Sequence, residues 1–189
     1  MAKRNNFWSE SNGLLDFLKT YAPLRAHSPY ATRRVWRVFN IVAPHTIINP
    51  VTDSYASDYP FSVKTEKVLT AQDLMEIQRD HYEGTIFDMT KGLAAGPYGD
   101  PNRFDMTPVD NMTFSQIIQG SYERSISLFR TSYSFVAQAR QGVPDILALL
   151  WFGQYAPSSC SYAPFYLAST NVPSPYYKYV LTIKLSLYT

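Results

Sequence analysis

The sequence predicts an α+β fold, in which helices in the first part of the chain cover one face of an antiparallel sheet formed by the later part. Three segments between residues 14 and 82 carry apolar residues at helical spacing. By contrast, residues 121–166 contain successive runs that are rich in β-forming residues and are separated by turn residues. Helices and strands that are segregated along a chain in this way are typical of α+β domains.

The composition indicates one folded domain and excludes several classes of protein. The chain of 189 residues is long enough for a sizeable core, and its 15 tyrosines, 11 phenylalanines and 3 tryptophans favour packed strands and aromatic-lined clefts. A net charge of +2 is too small to indicate a nucleic-acid partner. The sequence contains no apolar run of about 18 residues, so no membrane-spanning helix is predicted. The single cysteine, Cys160, excludes a disulfide within the chain and a zinc site made of thiolates.

Three helices are predicted from apolar spacing and end signals. The first carries the apolar face Leu14–Leu18 and ends before Pro23, and the second covers Arg33–Val42 with Thr32 as its N-cap. The buried stripe of the second helix is predicted to consist of Val35, Trp36, Phe39 and Val42. The third helix covers Ala71–Tyr82, because residues 70–73 resemble a capping box and the apolar residues that follow have helical spacing.

A loop rich in glycine and proline and three strands are predicted further along. Lys91–Arg103 contains three glycines and two prolines, so it is predicted to be a long loop of the kind that often binds ligands. Ser125–Val136 is predicted to be a strand, and so is Ser161–Leu167, although Pro164 interrupts it. The apolar run Ile146–Phe152 suits a strand buried on both faces, with a helix as the alternative.

The histidines and the cysteine show no catalytic or metal-binding pattern. His27, His45 and His81 lie far apart without ligand-like spacing, so no zinc site is predicted. Asp80 and His81 are adjacent, and adjacent side chains on a helix diverge by about 100°, so His81 is interpreted as a helix-face residue near the C-terminal turn. Cys160 is predicted to be a buried structural thiol at the start of a strand, with a nucleophilic role as the alternative.

A basic cluster lies on the second predicted helix. Arg33 and Arg37 are four residues apart and share a helix face, and Arg34 lies beside them. Either these arginines form a solvated face opposite the apolar stripe, or one of them points into a pocket that binds a carboxylate or an oxyanion. Composition alone does not choose between the two interpretations.

Long stretches of the chain resemble a known family. They are YATRRVWRVFNIVAP (Tyr30–Pro44), YPFSVKTEKVLTAQDLMEIQRDHYEGTIFDMTKGLAAGPYGDPNR (Tyr59–Arg103), and ERSISLFRTSYSFVAQAR with LLWFGQYAPSSCSYAPFY (within Glu123–Tyr166). These residues resemble the dipeptidase A family of bacterial cysteine peptidases, over about Leu14 to Val172.

The resemblance implies a fold and a reaction. The family belongs to the N-terminal-nucleophile hydrolases, whose αββα sandwich has two antiparallel sheets between helical layers. The resemblance implies that a cysteine at the mature N-terminus is the nucleophile, that its own α-amine is the base, and that dipeptides or short peptides are cleaved through a thioester. It implies no metal and no cofactor. A homo-oligomer is possible for the intact family.

The chain departs from the family pattern at both ends. The region of the nucleophilic cysteine is expected to be missing, so residues 1–173 are interpreted as a partial dipeptidase domain that is inactive alone, and residues 174–189 as a divergent tail. The alternative is a non-catalytic remnant or a small binding module. A carbohydrate-binding module, suggested by aromatic content alone, is disfavoured by the helices and the resemblance. The basic start leads into no apolar segment, which predicts no signal peptide and favours the cytoplasm.

The resemblance indicates only some of the functional residues in this chain. No catalytic residue is assigned in this chain. Thr32-Arg33 is similar to a Ser-Arg pair at the head of a helix in related bile-salt and penicillin-amide hydrolases, which makes Arg33 the first candidate for substrate binding and Arg34 the second. Arg37, one turn along, is expected to lie beyond the pocket. Three residues of the family-specific loop are candidates for substrate contact, with turn-forming roles as the alternative: Tyr98, Asp100 and Asn102. Arg130 is placed on the predicted strand, as an outward or edge residue.

Overall fold

The computed structural model describes residues 1–21, 30–51, 56, 58–95, 99 and 124–176. This part of the chain has an α+β architecture, with helices followed by a three-stranded antiparallel sheet, as the sequence predicts. The helices are α1 (Phe17–Tyr21), α2 (Tyr30–Val42) and α3 (Ala71–Arg79), and the strands are β1 (Tyr133–Gln138), β2 (Leu149–Gln154) and β3 (Ala163–Tyr166). In the described ranges, no helix is both long and apolar enough to cross a membrane.

Helix α2 begins earlier than predicted, and its buried face includes Arg33 but not Val35. Because α2 starts at Tyr30, Thr32 lies inside its first turn, so the prediction that Thr32 is the N-cap was wrong. Thr32 and Arg33 are buried with Trp36, whereas Val35 is 43% exposed. Of the predicted stripe, Trp36 and Val42 are buried and Phe39 is half-buried, so only Val35 was predicted wrongly, and the charged residue Arg33 shares the buried face.

Helix α3 begins at the predicted capping box. The hydroxyl of Thr70 accepts a hydrogen bond from the amide of Asp73 at 3.2 Å, and the Asp73 carboxylate accepts one from the amide of Thr70 at 2.8 Å. Lys67 and the Thr70 hydroxyl also donate to this carboxylate, and together these bonds hold the pKa of Asp73 well below its usual range. The box satisfies amide groups that the first turn of a helix leaves without partners.

Replacing Thr70 by alanine is expected to lower the free energy of unfolding by about 1 kcal/mol, because the amide of Asp73 then loses its acceptor. Urea unfolding followed by circular dichroism measures the change. Thr65→Ala, at an exposed position upstream of the helix, is the matched control and is expected to have a smaller effect. Equal effects of the two substitutions would show that the box does not stabilise α3.

The predicted extension of α3 to Tyr82 was wrong. The helix ends at Arg79, because Asp80 has an extended backbone (φ −68°, ψ 136°) and its carboxylate bonds to Arg37 and to the amide of Tyr82. The backbone of Tyr82 is left-handed, with φ +65°, which cannot continue a helix.

The sheet has the order β1-β2-β3, and all pairs are antiparallel. The strand predicted from Ser125 begins only at Tyr133; upstream, the Ser125 hydroxyl bonds locally to the carbonyl of Ser127, and such bonds compete with strand pairing. The strand predicted from Ile146 begins at Leu149, after a turn of 3₁₀ helix. Pro164 is accommodated because β3 lies at an edge of this sheet.

The two faces of the sheet have different surroundings. On one face the Ser134 hydroxyl lies 2.8 Å from the hydroxyl of Tyr162, which donates to Gln78 of α3. The other face carries Phe135 and Leu150, which are 50% and 38% exposed, so the prediction that the second strand is buried on both faces was wrong. The core between α2 and α3 is small and is centred on Val42, Ala43 and Ile77, with Val38, Ile41, Val63, Leu69 and Ile126 packed against it.

Candidate substrate-binding site

The candidate site lies between α2 and the turn that follows α3. The guanidinium carbon of Arg33 lies 4.0 Å from the centre of the Phe87 ring, and Arg33 is only 6% exposed. Burial lowers the pKa of Arg33, and the nearby phenols of Tyr82 and Tyr59 partly offset this effect. Burial also raises the pKa of Tyr59 to about 12. A desolvated guanidinium on an aromatic face interacts strongly with an anion that reaches it.

Tyr82 lies at the centre of the basic cluster. Its side chain is fully buried, and its hydroxyl donates to the carbonyl of Arg124 at 2.8 Å. Burial raises the pKa of Tyr82, and the charges of Arg34, Arg33 and Arg37 all oppose that rise. The charges of all three arginines on this helix therefore affect the same phenol. Because Arg33 itself is buried, its interpretation as part of a solvated face is wrong.

Arg37 forms a buried ion pair with Asp80. Its Nε lies 2.9 and 3.0 Å from the two carboxylate oxygens, and one terminal nitrogen lies 2.6 Å from Oδ2. The same guanidinium donates to the side chain of Asn40 and to the carbonyl of Glu83. With all these partners inside the protein, Arg37 fastens α2 to the end of α3 and does not present itself to a substrate.

The remaining predicted residues are distributed over the chain. Tyr98, Asp100 and Asn102 lie outside the described residues, and so does His27. Arg130 is exposed and precedes β1, so its placement on a strand was wrong; its guanidinium lies over the neighbouring ring of Phe129.

Cys160 is a half-buried thiol beside the sheet. Its Sγ lies 3.5 Å from the carbonyl oxygen of Pro157 and against Gly153 of β2, where an added Cβ would come within 2.6 Å of it. Arg79 donates to the carbonyl oxygens of Pro157 and Cys160 and lies over the ring of Tyr162. This packing fits a structural thiol, but the prediction that Cys160 is buried at the start of a strand was wrong, because the residue is half-buried and follows a 3₁₀ turn before β3 begins at Ala163.

The two described histidines bind carboxylates and not the thiol. His45 Nδ1 lies 2.7 Å from Glu66 on the surface, and His81 Nδ1 lies 3.3 Å from Glu83. His81 lies beyond the end of α3 and is buried, so its interpretation as a helix-face residue was wrong. Within the described ranges, no three side chains of His, Cys, Asp or Glu are grouped so that they could hold a metal ion.

Sequence reasoning missed the residues that contact or lie near Arg33 and Arg37. Asp80, Tyr82 and Phe87 all lie in the stretch DHYEGTIFD, of which only the adjacent Asp80 and His81 were considered as a pair. Tyr82 and the half-buried Phe87 contact each other edge to face, and Asp80 turns towards Arg37, which is 43 positions away in sequence. The only signal in the sequence was the run of aromatic and acidic residues before Gly84. Such a run does not show which distant residues these side chains contact.

Comparison with known proteins assigns the family. A "Probable dipeptidase" of Latilactobacillus sakei is 28% identical over 148 residues, and a "Probable dipeptidase B" of Lactococcus lactis subsp. lactis (strain IL1403) is 27% identical over 150 residues. These alignments cover 78% and 79% of this chain but 26% of each relative, so the chain spans about a quarter of the length of the curated relatives it matches. No solved structure matches the chain. The family model of "Peptidase family C69" matches residues 1–186, which include most of the segment predicted to be a divergent tail. The chain belongs to peptidase family C69.

Proposed function

We propose that this chain is part of a peptide hydrolase that cleaves dipeptides or short peptides by acyl transfer through a cysteine thioester. The observation that supports the proposal most is the family match over residues 1–186, together with two relatives that are named as probable dipeptidases. In this reaction a thiolate attacks the peptide carbonyl, the amine leaves with a proton, and water releases the acyl group. The α-amine of the nucleophilic cysteine would act as the base.

Cys160 is not the nucleophile in this proposal. It is the one cysteine of the 189 residues, and its half-buried thiol packs against Gly153 and faces the carbonyl of Pro157. Neither described histidine bonds to it, since His45 and His81 bond to glutamates. A nucleophile needs a base within hydrogen-bond reach, so the reaction requires another cysteine, and these residues alone are proposed to be inactive.

Arg33 is proposed to bind the carboxylate of the substrate, with Arg34 as the second basic group. The support is the desolvated guanidinium of Arg33, stacked on Phe87 in a cluster whose nearby phenols, Tyr59 and Tyr82, are uncharged at neutral pH. Three loop residues outside the described ranges are proposed to complete the contact with the substrate: Tyr98, Asp100 and Asn102.

We also propose that the sheet is one layer of an αββα sandwich. The support is the face of β1 and β2 that carries Phe135 and Leu150, both of which are more than a third exposed. A second sheet would bury this apolar surface. An oligomeric form of the intact protein remains a further prediction.

A non-catalytic binding module is the second candidate, favoured by the surroundings of Cys160. Such a module would keep the arginine cluster and bind peptides without cleaving them. Both candidates predict that peptides bind. Only the first predicts that a longer protein containing these residues hydrolyses them.

A panel of dipeptides and their C-terminal amides is the test. We expect the 189-residue chain to release no free amino acids, and we expect the dipeptides to bind more tightly than the amides in isothermal titration. Arg33→Met should weaken dipeptide binding about 10- to 100-fold, because hydrogen bonds to a charged group contribute about 1.5–3 kcal/mol.

Arg130→Met is the matched control for this experiment, because Arg130 is exposed and its guanidinium lies over the ring of Phe129. It should leave dipeptide affinity unchanged. Equal affinity of dipeptides and amides would contradict the role of Arg33. Turnover that disappears in Cys160→Ala would instead make Cys160 the nucleophile.

A further inference from the structure

One face of the three-stranded sheet carries large apolar side chains that remain accessible to water. The strand register places five of them on this apolar face: Tyr133, Phe135, Leu150, Phe152 and Phe165. Tyr133 and Phe135 are 58% and 50% exposed, and the Tyr133 ring stacks on that of Phe152 with 5.7 Å between centres. A continuous apolar surface on a sheet is typical of a face that another layer covers.

Tyr176 lies on this apolar face, where the described part of the chain ends. It closes a 3₁₀ turn, Ser174–Tyr176, and its ring contacts Phe165 edge to face with 4.9 Å between centres. A second edge-to-face contact, at 6.1 Å, joins it to Phe152. Because Phe165 belongs to β3 and Phe152 to β2, the chain that follows Tyr176 starts over the apolar face, with the exposed rings of β1 further across the sheet.

The residues that follow Tyr176 lie outside the described ranges, and their sequence alternates. Every odd position from 177 to 187 is apolar, whereas four of the even positions are polar: Lys178, Thr182, Lys184 and Ser186. Alternation with a period of two predicts a strand that has one apolar and one polar side. At about 3.3 Å per residue, six extended residues span about 20 Å, which matches the length of a six-residue strand such as β1.

We propose that residues 177–187 form a strand whose apolar side packs on the apolar face of the sheet. The inference goes beyond the sandwich proposed above, because it names an occupant for this face within the 189 residues and does not depend on other parts of a longer protein. The odd-numbered side chains then cover Tyr133, Phe135 and Leu150, while Lys178 and Lys184 face water. Both edges of the strand stay open to water or to further strands, so its backbone groups keep hydrogen-bond partners.

Photo-cross-linking in the full chain tests this contact. The photoreactive amino acid p-benzoyl-phenylalanine replaces either Phe135, on the apolar face, or Tyr166, which is 44% exposed on the opposite face. After irradiation, we expect mass spectrometry to find residues 177–189 joined to position 135 and not to position 166. If the chain with the label at position 135 does not fold, Tyr133 is the more exposed position on the same face and takes its place.

Two results of this experiment would overturn the proposal. The first is a folded chain in which position 135 forms no link to residues 177–189. The second appears when isotope-labelled and unlabelled copies are mixed before irradiation. Links that join a labelled to an unlabelled copy would show that the apolar face is an interface between two copies, and not the place of this segment.

Charge variants test which side of the segment faces the sheet. Leu181→Lys/Ile183→Lys adds two charges to the apolar side, and we expect it to lose the link from position 135, because unpaired charges are not buried against apolar rings. Val180→Lys/Thr182→Lys adds the same charges at the same spacing to the other side and should retain the link. If both variants retain the link, or both lose it, the alternation does not orient the segment and the proposal is wrong.

Discussion

Replacing Arg37 by alanine is expected to lower the free energy of unfolding by about 3–5 kcal/mol. The side chains of Arg37 and Asp80 are only 11% and 8% exposed, and the pair is bidentate. Removing the arginine leaves a buried carboxylate without its cation, and the cost of that charge exceeds the net value of the pair itself. An effect of this size is a large fraction of the stability of a typical domain.

Denaturant unfolding of Arg37→Ala and of Lys67→Ala is the direct comparison. Lys67 pairs with Asp73 at 2.6 Å, but its side chain is 65% exposed, so its loss should cost less than about 1 kcal/mol. The double variant Arg37→Met/Asp80→Leu should be more stable than Arg37→Ala, because no unpaired charge is then buried. Similar small losses in Arg37→Ala and Lys67→Ala would show that the buried pair does not fasten α2 to α3.

Replacing Gly153 by alanine is expected to cost about 2–3 kcal/mol, through overpacking beside the sheet. A Cβ at this position would lie 2.6 Å from Cys160 Sγ, 3.3 Å from a ring carbon of Tyr162 and 3.4 Å from the hydroxyl of Ser134. The contacts with Tyr162 and Ser134 are only slightly tight, so the severe clash is with the sulfur, and the added carbon displaces the thiol from its place beside the sheet. Thermal unfolding of the variant measures the loss.

A double-mutant cycle identifies the cause of this loss. Cys160→Ala removes the sulfur that the new Cβ would meet, so Gly153→Ala should cost clearly less in the Cys160→Ala background than in the original chain. Cys160→Ala alone removes one half-buried atom and should have a small effect. Additive losses from the two substitutions would indicate that the thiol does not limit the space at Gly153.

The sequence by itself determines the features that depend on neighbouring residues or on a long pattern. The start of α3 could be predicted because Thr70 and Asp73 satisfy each other's amides within one helical turn, whatever the rest of the chain does. The antiparallel sheet could be predicted because its strands follow one another with turn residues between them. The family could be predicted because long stretches of the sequence, and not only a short motif, resemble it.

Only the tertiary structure decides what the arginines contact. Arg33 was expected either on a solvated face or in a pocket, and its burial against Phe87 depends on a residue 54 positions away. The end of α3 depends on Arg37, which draws Asp80 out of the helix and leaves Tyr82 with a positive φ. Local propensity favours continuing the helix, but a buried carboxylate must be paired, and its partner lies on another element. Contacts between distant segments therefore override the local signals where charge is buried, and that is where the candidate site lies.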